Sequence, residues 1–105
     1  MFRRRRGGQA ELLDIYCANC NDYLLLYQKD GIGKLYRLYL NRIFSPEKLA
    51  DLQNQAFASP NDLENLVCNM CDTTIGVPMK HADSRLAYRL IPGKYYKKKS
   101  HEPHK

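Results

Sequence analysis

Residues 17–20 read C-A-N-C and residues 68–71 read C-N-M-C, and the reading of these two stretches decides the fold. A two-residue gap lets the chain curl so that both thiols of a pair face one point. Two such pairs supply the four soft ligands that zinc takes in a tetrahedron, with sulfurs about 2.3 Å from the metal. The chain has four cysteines in all, so none is left over as a nucleophile or a dangling thiol. The spacing therefore points to one structural zinc per chain, held by Cys17, Cys20, Cys68 and Cys71.

Three rival uses of the thiols stand beside zinc. Disulfides are disfavoured because the first sixteen residues hold no apolar run of the secretory type. That points to a reducing, cytoplasmic setting where disulfides rarely persist. A redox dithiol needs one pair and leaves the other unexplained. An iron or iron–sulfur centre takes the same ligands, and ligand type alone does not separate it from zinc.

At 105 residues the chain makes one domain, too short to be generously stable through hydrophobic burial alone. The pairs are separated by 47 residues, so a shared metal closes a long loop and couples binding to folding. The formal charge of +6 sits at the ends. Arg3 to Arg6, Lys97 to Lys99 and Lys105, against Glu102, give the termini +7, while nine Lys or Arg and ten Asp or Glu leave residues 7–96 at −1. Basic tails can hold phosphate without reading sequence, or can simply be solvated ends. No run approaches the roughly 18 apolar residues of a membrane span.

These features divide the chain into a disordered basic arm (1–10), a single β domain (11–96) and a basic C-terminal tail (97–105). Tyr23 to Gln28 reads as a strand, and K-D-G-I-G-K after it as a hairpin turn leading into a partner strand, Leu35 to Leu40. Ser45-Pro46-Glu47 is a helix start with Ser45 as N-cap, and Leu49, Leu52, Gln53 and Ala56 continue at helical spacing, so one helix is expected over 46–57. Ser59 and Asp62 can cap a further short turn. Beyond the second pair, Ile75 to Lys80 reads as a strand in which Gly76 marks a bulge or close approach and Pro78 suits a sheet edge. Leu86 to Ile91 alternates as another strand, with Leu86, Tyr88 and Leu90 on one face. The expected class is mainly β: two small antiparallel sheets joined at one four-cysteine zinc site, with a short helix between the knuckles.

The fragments YCANCNDYL, GKLYRLYLNRIF, LVCNMCDTTIGVPM and YRLIPGKYY resemble the zinc-bearing Yippee-like domain and its relative, the thalidomide-binding domain of cereblon. The likeness covers roughly Ile15 to Tyr96. It implies a β-tent, in which two sheets meet at an angle and four cysteines pin them near the apex. Cys17 and Cys20 match the first knuckle of that family and Cys68 and Cys71 the second, with Ile75-Gly76 as the hydrophobic-glycine step and Gly33 as the glycine before an aromatic-rich strand. The cereblon-type pocket for cyclic imides is built from tryptophans, and this chain has none, so imide binding does not carry over. A tandem zinc ribbon is the alternative architecture for the same cysteine pairs.

Four thiolates close a zinc sphere, whereas catalytic zinc keeps a position open for water. His81 and Asp83 are too close in sequence, within a turn, to make a convincing base and orienter, and no phosphate loop stands out. The expected function is a non-catalytic binding or adaptor module whose ligand the sequence does not identify, the partner being either a protein or a nucleic acid. A nucleic-acid-binding protein using basic tails and sheet tyrosines is the main alternative, and a small-molecule site or enzyme the weaker one. Eight tyrosines make sheet aromatics the candidate contacts, and Tyr36, Arg37, Tyr88, Arg89 and Tyr95 form the possible ligand surface.

Overall fold

A computed structural model describes residues 10–31, 33–55, 57, 59–81 and 85–100. The arginine arm, Ala56, Asp83 and residues 101–105 lie outside them. Eight strands form two four-stranded antiparallel sheets. The first sheet contains β1 (Ala10–Cys17), β2 (Tyr23–Asp30), β4 (Ile43–Ser45) and β8 (Tyr95–Lys99), in the order β4-β2-β1-β8. The second contains β3 (Arg37–Tyr39), β5 (Leu66–Val67), β6 (Thr74–Lys80) and β7 (Leu86–Leu90), in the order β3-β7-β6-β5. The class expected from the cysteine pairs and strand patterns is the one found.

Period-two alternation places the core. Leu13 and Ile15 of β1 sit opposite Tyr27 and Leu25 of β2, and these four side chains are buried together with Leu38, Ile75, Tyr88 and Leu90 of the second sheet. Burying side chains of this size stabilises by about 1.5–3 kcal/mol each. Gly76 lies opposite Leu90, and a Cβ there would stand 3.2 Å from both the Arg89 carbonyl oxygen and Tyr88 Cβ, the close approach its position suggests. Pro78 lies beyond the two residues of β6 that β5 pairs, where a missing N–H breaks no ladder bond on that side.

The structure corrects four expectations. Tyr23 to Gln28 does not pair with the strand after K-D-G-I-G-K. Both edges of β2 are occupied, by β1 and by β4, so the chain crosses to the second sheet and β3 pairs with β7. Gly31 and Gly33 do take positive φ, at 80° and 111°, but they turn the chain between sheets. The 46–57 helix shrinks to α1 (Glu47–Ala50) followed by a 3-10 turn over Asp51–Asn54. Ser45 is not its N-cap, because Ser45 ends β4 opposite Leu26 and Pro46 takes the cap position. Finally, Lys97 to Lys99 are not part of a tail: Lys97, Lys98 and Lys99 pair with Ile15, Asp14 and Leu13. A lysine-rich strand suits the edge it occupies, since charge there blocks pairing with another chain.

The Ser59 turn is as expected, with the Ser59 N–H donating to Asp62 Oδ2 at 3.2 Å ahead of a 3-10 turn over Pro60–Asp62. Among the described residues no helix is long and apolar enough to cross a membrane.

Candidate metal centre and binding surface

Each cysteine pair is the turn of a hairpin, and the two hairpins belong to different sheets. β1 ends at Cys17 and β2 begins at Tyr23; β5 ends beside Cys68 and β6 begins at Thr74. The two turns are built alike. The Cys17 N–H donates to the Asp22 carbonyl at 2.9 Å and the Asn21 N–H to the Cys17 carbonyl at 2.8 Å. The Cys68 N–H donates to Thr73 at 2.9 Å and the Asp72 N–H to Cys68 at 2.8 Å. The residue after the second cysteine closes each turn with positive φ, Asn21 at 66° and Asp72 at 62°. Asn and Asp tolerate that region best among residues with a Cβ. These two residues were missed in the sequence, where the signal was an Asn or Asp directly after each C-x-x-C.

The turns bring all four Sγ atoms within 4.8 Å of one another. Cys17 faces Cys71 at 3.6 Å and Cys20 faces Cys68 at 3.6 Å, so the contacts run between the sheets. A disulfide needs about 2.05 Å, whereas sulfurs 2.3 Å from a tetrahedral centre stand about 3.8 Å apart. The cluster is therefore able to coordinate one metal ion, and the two sulfur contacts do not fit disulfides. Cys17 and Cys68 are buried, Cys71 is half-buried and Cys20 is exposed.

The sulfurs differ in acidity. Hydrogen bonds from the Asn19 side chain and then from Thr73 pull Cys71 down to about 6. The Asp22 backbone favours the Cys20 thiolate, but desolvation and the three facing sulfurs outweigh it and push that thiol up to about 12. Thiolates this close repel, and a central cation lets all four ionise.

The five residues of the expected ligand surface separate. Arg37 and Arg89 are paired directly across β3 and β7, on the face away from the core. Tyr36, beside Arg37, is 58% exposed. Tyr88 is not on that surface: it is 3% exposed, on the core face with Leu38. Tyr95 is half-buried and its hydroxyl donates to the Leu35 carbonyl at 2.6 Å. His81 packs edge-on against Tyr39, with ring centroids 5.6 Å apart.

A cavity of about 270 Å³ opens beside Tyr36 and Arg37, at the end of β2 remote from the cysteines. Seven residue steps along β2 place Asp30 about 23 Å from Tyr23. Among the described residues Lys29, Lys34, Arg37, Arg42 and Arg85 line it, against one carboxylate, Asp30. Asp30 accepts from Arg42 Nε at 2.9 Å and from Gln28 Nε2 at 2.8 Å. The Arg85 guanidinium lies 3.8 Å from the centre of the Tyr39 ring. Of these, only Tyr36 and Arg37 were legible as candidates; K-D just before G-I-G was the overlooked signal. A second cavity, of about 750 Å³, lies between α1 and the β5 hairpin, lined by Leu24, Leu49, Leu52, Phe57 and Leu66. Cysteines line neither cavity.

Compared with protein-family models, with curated proteins and with solved structures, the chain finds no match in any of the three.

Proposed function

We propose that the chain is a non-catalytic binding or adaptor module held together by one structural zinc, related in design to the Yippee-like and cereblon thalidomide-binding domains. The observation that carries this reading is the placement of the cysteines. They come from one hairpin of each sheet, and their four sulfurs converge on one point. Such a donor set closes the coordination sphere of zinc, which leaves the metal a crosslinking role. No cysteine lines either cavity, and the basic one lies at the end of β2 remote from the cysteine turns, which supports a binding surface apart from the metal.

Elemental analysis of protein prepared without chelator tests the metal assignment. About one zinc per chain is expected; iron in its place, or no metal, refutes it. Nucleic-acid contact is the second reading, favoured by one cluster on the first sheet. Tyr16 stacks on Tyr96 at 5.1 Å, with Lys98 Nζ 5.4 Å from the Tyr16 ring.

A further inference from the structure

Lys29 is 7% exposed, and the hydrogen bond its ammonium makes is to the neutral carbonyl of Gly31, at 2.9 Å. An ammonium has three donors, and burying one without a counter-charge is costly. The cavity it lines adds to the imbalance, because Lys34 and Arg37 share it, and Asp30, the carboxylate in the described lining, already accepts from Arg42 and Gln28. Lys29, Lys34 and Arg37, drawn from β2, the crossing loop and β3, converge on this cavity, and among the described residues its lining sets no acid against them beyond Asp30.

The anion can be narrowed by size and by its neighbours. At about 270 Å³ the cavity falls just below the range of about 300–1,000 Å³ that encloses a whole drug-sized ligand. It fits a compact multivalent anion with the rest of the ligand outside. Phosphate offers several acceptor oxygens to such a set of lysines and arginines, and the arginine fork matches it bidentately. On the rim, Tyr36 presents an exposed ring able to stack on a planar group.

We infer that this cavity binds one nucleotide unit, its phosphate among Lys29, Lys34 and Arg37 and its base on Tyr36. The unit is either a free mononucleotide or one residue of a single strand. This deepens the reading of the chain as a binding module and rests on it.

The test is calorimetric titration of the full-length zinc-loaded chain with UMP, AMP, inorganic phosphate and a short oligouridylate, at two salt concentrations. Phosphorus NMR of the same mixtures follows the fate of the phosphate. Lys29→Met and Arg37→Gln are each expected to weaken nucleotide binding about tenfold or more, the loss of one charge-assisted hydrogen bond. Lys29→Met should melt no lower than the unchanged chain, which separates a lost ligand contact from a lost fold. Tyr36→Ala should weaken UMP and leave inorganic phosphate unchanged. Lys97→Gln with Lys98→Gln, on the edge strand β8 and outside the cavity lining, should leave UMP binding intact. Tight UMP binding supports a free nucleotide as the ligand, and binding of the oligomer alone supports a strand. Binding of neither, equal binding by Lys29→Met, or a loss confined to the Lys97 and Lys98 variant overturns the proposal. Release of phosphate from a bound nucleotide would refute the non-catalytic reading while leaving the binding site standing.

Discussion

Cys20 separates a metal site from mere packing more sharply than the other three cysteines. Its side chain is exposed, so by burial alone Cys20→Ser should cost almost nothing, whereas Cys68 is fully buried. A shared metal changes that expectation. Cys20 and Cys68 stand 48 positions apart, and a crosslink closing a loop of that length removes unfolded-chain entropy equivalent to about 4 kcal/mol. That is a large fraction of the roughly 5–15 kcal/mol of an ordinary domain. It corresponds to a fall in melting temperature on the order of 20 °C. With free zinc buffered low, so that a three-ligand site stays empty, Cys20→Ser and Cys68→Ser should therefore melt lower by similar amounts, and chelator should bring the unchanged chain to the same range. Thermal unfolding followed by circular dichroism, repeated across a zinc titration, reads all three. A Cys20→Ser chain that melts within a few degrees of the original, with Cys68→Ser strongly destabilised, would show that burial and not a metal holds this corner together.

Gly76→Ala should destabilise by about 1–3 kcal/mol in urea unfolding, because its methyl would meet the Arg89 carbonyl and Tyr88 Cβ at 3.2 Å and both belong to a paired core strand; no loss would mean β7 yields freely. Asp30→Asn should cost about 3–5 kcal/mol by removing the charge partner of the nearly buried Arg42, and a chain of unchanged stability would mean the pair is solvated. Burial pushes Tyr23 and Tyr88 up to about 12, above the ordinary value near 10 of an unfolded chain. Their neutral forms stabilise the fold fully below pH 10 and that contribution is lost as pH rises through about 12, so stability should fall across that window. Tyrosinate absorbance titrating at the ordinary value before unfolding would contradict it. Replacing Arg3 to Arg6 with glutamine should weaken oligouridylate binding and flatten its salt dependence while leaving UMP unchanged, and loss of UMP binding would place the phosphate on the arm instead.

The four-cysteine cluster was legible because its signal is local: two short turns, each of which brings its own pair of thiols together whatever the rest of the chain does. The sheets were legible only where a strand alternates cleanly, as in Leu86 to Leu90. β1 was not recognised in A-E-L-L-D-I-Y-C, since Leu12 and Asp14 are buried along with Leu13 and Ile15 and no face reads as wet. Which strand pairs with which was hidden for a different reason. The glycines of K-D-G-I-G-K permit a hairpin equally well as a crossing, and the outcome depends on β1 and β4 having filled the edges of β2, contacts remote in sequence. The long helix failed through competition: Ser45, good as an N-cap, was taken by the ladder to Leu26.

Net charge hides what the fold does with charge. Once Lys97 to Lys99 join the sheet, residues 10–100 carry twelve Lys or Arg and ten Asp or Glu, and a tetrathiolate zinc, formally −2, would bring the body close to neutral. Yet the two cavities are opposite in sign. Among the described residues the smaller sets five cations against one acid, and the larger sets Asp22, Asp62 and Glu64 against Lys48. The acidic cavity borders the cysteine turns, since Asp22 and Asn69 line it, while the basic one lies at the far end of β2. A polyanion approaching this domain is attracted at one end and repelled at the other, which orients it before contact without a net charge to drive it. The same separation explains why sequence counting pointed to the tails: an almost neutral body gives no hint that its cations have been gathered into one concavity, and only the crossing of the chain between sheets brings Lys29, Arg37, Arg42 and Arg85 together there.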